Sequence, residues 1–154
     1  MKPLTKELHA DVTLKILKPA HAVFEAIVDP RLMSQYFVTT GSGRMEEGKT
    51  VTWSWADYGN VKADVKVQRI EPDKNISFVW SASGTGAPVE ESFVDITLEA
   101  VTPNATRVKI TEGGWAKDDA GIARLVEQTH GWVHFLCGLK VFLEHGINIR
   151  IGGF

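Results

Sequence analysis

The sequence has a single cysteine, Cys137. One thiol cannot close an internal disulfide, which excludes the stapled scaffold of a small secreted domain. Long apolar runs are missing as well. The longest, Trp132 to Leu143, is too short to span a bilayer and is interrupted by His134 and Lys140. There is no excess charge of one sign: Lys and Arg total 17 against 19 Asp and Glu, a net charge of −2. No field able to draw nucleic acid or an anionic membrane follows from that balance, so neither partner is expected, nor is membrane insertion. Met1 to Asp11 carries acidic residues and lacks the apolar stretch of a leader peptide, so the expected location is cytoplasmic. Internal repeats and low-complexity linkers are also absent.

Several catalytic signatures are missing too. No Gly-x-Ser-x-Gly elbow occurs. Gly41-Ser42-Gly43 and Gly84-Thr85-Gly86 are not followed by the Lys-Ser/Thr of a phosphate loop, and they read as flexible loops at a cavity mouth. His130, His134 and Cys137 fall at i, i+4 and i+7, a ligand-like spacing on one helical face. The residues between the two histidines lack the glutamate of the His-Glu-x-x-His pattern, and no fourth ligand is evident. No metal or other cofactor is expected.

What the sequence does hold is 154 residues with 44% hydrophobic and 23% charged residues, the profile of one globular domain over 1–154. Five tryptophans are many for that length. Leu8, Ala10, Val12, Leu14 and Ile16 alternate with polar residues, which predicts a strand with one buried face. Pro19 suits N1 of a short helix running to Val28, and Asp29-Pro30 caps and starts a second, to about Phe37. Alternating rows follow at Val51–Trp55, Val61–Val67, Ile76–Trp80, Val94–Ala100 and Val108–Ile110, separated by short turns, so an antiparallel meander is predicted. Ile70 breaks the phase of its row, which predicts a bulge near Gln68–Arg69. From Asp119 to His145 the period becomes helical, with Leu125, Thr129, Trp132, Leu136, Leu139 and Leu143 on one stripe, a cap at Asp118 or Asp119 and a stop at Gly146. Such a helix is about 40 Å long. A domain of this size has a radius of gyration of only about 15 Å, so the helix must cross the whole molecule.

This order of elements is that of the helix-grip, or Bet v1-like, α+β fold: a curved antiparallel sheet of about seven strands gripping a long C-terminal helix, with two short helices after strand 1. The run Lys-Pro-Ala-His-Ala-Val-Phe-Glu-Ala-Ile-Val-Asp-Pro-Arg-Leu-Met-Ser-Gln-Tyr-Phe at 18–37 resembles the opening signature of the activator-of-Hsp90-ATPase-like branch of the START/Bet v1 superfamily. So do Val67 to Pro72 with Ile76 to Trp80, Thr111 to Trp115, and Gly131-Trp132 through Leu143 to Gly146. The resemblance covers nearly the whole chain. It implies a cavity between sheet and helix, and a superfamily that includes lipid carriers, binders of hydrophobic ligands, cyclase-type enzymes, toxin-sequestering proteins and a co-chaperone domain. The Asn/Trp-rich chaperone-contacting motif of the eukaryotic co-chaperone is not found in this sequence, which weighs against a chaperone partner.

The inward strand phase gives a candidate pocket lining. Pairing Val94 with Ile110 sets Ser92 opposite Glu112 and Glu90 opposite Gly114, with Glu90, Ser92 and Glu112 pointing inward. Trp53, Trp55, Phe78 and Trp80 share that phase in the other half of the sheet, and Trp132 and Leu136 face them from the helix. Apolar walls with a few converging polar groups suit a small hydrophobic or aromatic ligand. The competing reading is that the aromatic rings simply fill the core. Two further functions stand beside ligand binding: a protein-interaction or stress-response module, and a cyclase or hydrolase using Glu90 or Glu112. No nucleophile–base pair supports the enzyme. Gly131 and Gly138, seven residues apart on the helix, read as places for close packing or as pocket volume. Trp132–Leu143 is apolar nearly all round, which predicts packing on the short helices or on a second copy, and favours a homodimer.

Overall fold

The computed structural model describes residues 8–81 and 90–153. The first strand, β1 (Leu8–Ile16), is followed by α1 (Ala20–Val28) and α2 (Pro30–Met33). Then come β2 (Thr40–Gly41), β3 (Thr50–Trp55), β4 (Val61–Glu71), β5 (Asn75–Trp80), β6 (Ser92–Thr102), β7 (Ala105–Trp115) and α3 (Asp119–His145). The strands form one antiparallel curved sheet in the order β1-β7-β6-β5-β4-β3-β2. Every neighbour but one is consecutive in sequence, because short turns return each strand beside the last. The exception is β1, which closes on β7. No helix among the described residues is long and apolar enough to cross a membrane.

The helix ends follow from local chemistry. The Asp118 carboxylate accepts from the Gly121 N–H at 2.8 Å, and Gly146 ends α3 in the left-handed region at φ 68°. Asp29 caps α2 by accepting from the Arg31 N–H. Pro19 is the N-cap of α1 rather than its first residue, and α2 stops at Met33, four residues short of the predicted Phe37. Residues 34–37 continue as turns, which bring Tyr36 and Phe37 into the core with exposures of 0% and 9%. Gly41, expected in a loop, lies in β2 opposite Trp53. Gly84–Gly86, also expected as a loop, lies outside the described residues.

The β4 bulge falls between Val67 and Arg69, where it was expected. The β6–β7 hairpin differs in register. Val94 pairs with Glu112, and Ile96 with Ile110. The turn is tighter than predicted, with Thr102 opposite Ala105 and an irregularity between Ala100 and Thr102. The pairing is therefore two residues from the expected one. A shift of two preserves the face of every side chain, so the inward set is unchanged while the partners move.

A second bulge lies at the far end of β7. Leu8 pairs with Trp115 and His9 with Gly113, leaving Gly114 as the extra residue at φ 108°. Glycine takes that backbone conformation without steric cost. The insertion flips the phase after Glu112 and sets Trp115 on the buried face.

Against the sheet, α3 buries Gln128, Trp132, Phe135, Leu136 and Leu139. Its last turns are clamped to the segment around β1: Glu144 accepts from the Leu17 N–H at 2.9 Å, and Lys140 donates to the Lys15 carbonyl at 2.8 Å. On its other side, Gly138 lies against Tyr36, whose carbonyl oxygen would stand 3.0 Å from a Cβ at position 138. The Tyr36 hydroxyl donates to the Ala26 carbonyl, which ties this turn back to α1.

Candidate functional site

Glu112, toward the C-terminal end of β7, is 0% exposed. Both of its oxygens are occupied. Oε1 accepts from the Gln128 amide and the Trp132 indole N–H, each at 2.8 Å. Oε2 accepts from the Trp80 indole N–H at 2.9 Å and from the Ser92 hydroxyl. Four donors from β5, β6 and α3 thus meet on one carboxyl of β7. A carboxylate offers about four lone-pair sites, and all are used here. The register explains the Ser92 contact: Ser92 is the diagonal neighbour of Glu112 on the same face, two residues from Val94, which stands directly opposite.

Around this polar centre the interior is aromatic. Trp53 touches Phe78 and Trp80, with ring centroids 5.5 and 5.7 Å apart. Trp80 lies 5.5 Å from Trp132, and Trp132 lies 5.2 Å from Phe135. Phe37 joins from the turn after α2, 4.8 Å from Phe135 and 6.1 Å from Trp132. Most of these pairs are edge-to-face, the arrangement favoured by ring quadrupoles. Leu136 completes the cluster from α3.

The expected lining thus divides. Trp80, Ser92, Glu112 and Trp132 share one hydrogen-bonded centre, and Trp53, Phe78 and Leu136 pack around it. Trp55 is only half-buried; its indole donates to the Phe37 carbonyl at 3.0 Å and pins the segment after α2. Glu90 is exposed and precedes β6, which starts at Ser92, so it does not point inward.

Three residues of the centre escaped the sequence reading. Gln128 is four residues before Trp132, on the same helical face, a position that could have revealed it. Arg124, one turn further back, has its Nη1 3.3 Å from Glu127 Oε2 and 3.4 Å from Gln128 Oε1. Trp115 was hidden by the Gly114 bulge, because strict alternation would send it outward. The Arg124 guanidinium lies over the Trp115 ring, 5.7 Å from its centroid. Arg124 Nη2 and Trp115 Nε1 are both buried, and neither has an acceptor. A polar chain therefore runs along α3 from Arg124 through Gln128 to Glu112.

A separate cleft of about 360 Å³ lies between α1, the segment before β3 and the β4–β5 turn. Its acids are engaged. Glu25 takes both Arg44 guanidinium nitrogens at 2.8 Å, and this hydrogen bonding holds its carboxyl below the usual carboxylate range. Asp73 meets His21 Nδ1 at 2.9 Å, which raises the imidazole above its ordinary value. Glu47 accepts from the Ile70 N–H. On α3, His130 and His134 stack at 5.5 Å and Cys137 is exposed. Among the described residues no three His, Cys, Asp or Glu side chains are grouped to hold a metal.

The family model described as activator of Hsp90 ATPase homolog 1-like protein matches residues 18–144. No curated protein matches the chain. Among solved structures, protein SSP2350 from Staphylococcus saprophyticus is 31% identical, with a TM-score of 0.77 over 93% of this chain and 96% of its own. DynU16, from the dynemicin biosynthetic locus, is 27% identical with a TM-score of 0.72; the match covers 90% of this chain but 48% of DynU16. The Aha1 dimer from Colwellia psychrerythraea shares the fold at 22% identity and a TM-score of 0.71, over 90% of this chain and 98% of its own.

Proposed function

The chain belongs to the activator of Hsp90 ATPase homolog 1-like family, and on that footing we propose that it holds a small apolar or aromatic molecule between the sheet and α3. The observation that carries this reading is the buried Glu112 centre. Replacing a buried ionic or polar group with well-packed apolar side chains is often neutral or stabilising. A domain that needed only a core gains nothing from placing a carboxyl, a serine and a glutamine among its tryptophans. A polar centre in an aromatic interior is what fixes the orientation of a mostly apolar ligand. The rings around Glu112 touch one another, so the ligand's place is toward Arg124 and Trp115, where two buried donors lack an acceptor. Both Glu112 oxygens are filled, which favours binding over the use of this residue as a base. Titration with 2-naphthol tests the reading. Saturable one-to-one heat, with shifts of the Trp132 and Trp115 indole N–H signals in NMR spectra, is the expected result. Absence of both up to the solubility limit of the probe overturns it.

A second reading concerns assembly and is compatible with the first. Ile122, Val126 and Val133 are 52%, 63% and 42% exposed and share one stripe of α3 with exposed Cys137. An apolar stripe on an outer helix face marks an interaction surface. A second copy of the chain is the partner proposed, in line with the Aha1 dimer that shares the fold. Light scattering at tens of micromolar should give a dimer for the native chain and a monomer for Val126→Glu; a monomeric native chain removes this reading.

A further inference from the structure

The two open donors beside the Glu112 centre identify the polar end of the ligand. Arg124 Nη2 and Trp115 Nε1 are shut off from water and have no acceptor. A buried donor left unmade costs about 1–3 kcal/mol, and native proteins hold only a few. Two belonging to stacked side chains are not a random pair. Neither group can accept: an indole N–H and a guanidinium only donate. The missing partner must therefore bring oxygen lone pairs.

The surroundings narrow its chemistry. Arg124 Nη1 is already taken by Glu127 and Gln128, so the guanidinium presents one nitrogen, Nη2, rather than its whole fork. Trp115, packed beneath the guanidinium, supplies an apolar surface and a second donor. Gln128 stands between Arg124 and Glu112, its amide oxygen accepting from the guanidinium and its NH2 donating to the carboxyl. Glu112 is wrapped by four donors, and the carboxylate that an anion at Arg124 meets is that of Glu127, which shares the guanidinium through Nη1 at 3.3 Å. We propose that this corner is a carboxylate site, and that the bound molecule is an aromatic or aliphatic acid whose carboxylate is held by Arg124 Nη2 and Trp115 Nε1 while its apolar body lies toward Trp132. The proposal rests on the ligand-binding reading above and adds to it the class of ligand.

Calorimetric titration with 2-naphthoate and 2-naphthol, which share one ring system, separates the two ideas. The expected result is naphthoate binding at least about ten-fold tighter than naphthol, the worth of one charge-assisted hydrogen bond. Arg124→Met should abolish that preference, so that naphthoate binds no tighter than naphthol, while a circular-dichroism spectrum that matches the native one reports that the variant is folded. Trp115→Phe, which keeps a ring beneath the guanidinium but removes the N–H, should reduce it in part. Equal affinity for the two probes overturns the carboxylate site and leaves the ligand reading intact. So does a preference that survives Arg124→Met. Failure of both probes to bind overturns both.

Discussion

At the scale of the residue, Glu112 cannot exchange one oxygen for an amide nitrogen without loss. Whichever way the amide of a Glu112→Gln variant is turned, its NH2 faces two donors. On one side these are Ser92 and Trp80, on the other Gln128 and Trp132. Ser92 can rotate its hydroxyl to accept, and Gln128 can turn its own amide, but an indole can do neither. One tryptophan N–H is therefore stranded in either orientation. The expected cost is about 1–3 kcal/mol. Denaturant unfolding should read that loss as a lower midpoint with an unchanged slope. Glu112→Leu, which strands every donor, should fall further. The sequence pointed to Glu112, Ser92, Trp80 and Trp132 because all four follow the inward phase of their elements. It did not point to Trp115, since a bulge at a single glycine reverses that phase. Nor did it point to Arg124, because a charged side chain near a helix start reads as a solvated one.

At the scale of the element, α3 is the part most fully written in the sequence. Its limits, Asp119 and His145, follow from a capping Asp118 and a left-handed Gly146. Its two interior glycines, by contrast, look alike in sequence and differ in place. A Cβ at 138 would meet the Tyr36 carbonyl oxygen at 3.0 Å, whereas one at 131 would meet nothing within 4 Å. Gly131→Ala should therefore stabilise the protein by up to about 1 kcal/mol, the helical propensity difference. Gly138→Ala gains the same propensity but must push α3 from the turn after α2, and should come out destabilised. Thermal unfolding of the two variants side by side reads the difference in sign. The short elements were less legible. The end of α2 and the two-residue β2 depend on where Tyr36, Phe37 and Trp55 find room in the core, which no local pattern encodes.

At the scale of the whole molecule, the sheet order was legible because consecutive strands pair through short turns, and such pairing needs only alternation and turn residues. The closure of β1 on β7 is not local. It was available only through the resemblance to a known fold. Exact register was also out of reach, yet the error of two residues cost little, because period two protects the face. The tie between Arg150 and Asp57, with Nη2 at 2.8 and 2.9 Å from the two carboxylate oxygens, joins the segment after α3 to the β3–β4 connection. Hydrogen bonding to Arg150 holds the Asp57 carboxyl below its ordinary range. Charge pairing across 93 positions leaves no mark in a sequence read alone.

Chain order gives the Glu112 centre a consequence for biosynthesis. Trp80, Ser92 and Glu112 leave the ribosome before Gln128 and Trp132. A nascent chain that has completed its sheet therefore carries a carboxyl with donors on one oxygen only, set in an uncovered aromatic face. Arrival of α3 supplies the other two donors and the cover in the same event. A sheet left without α3 would bare its aromatic face and leave Glu112 without the Gln128 and Trp132 donors at the same time.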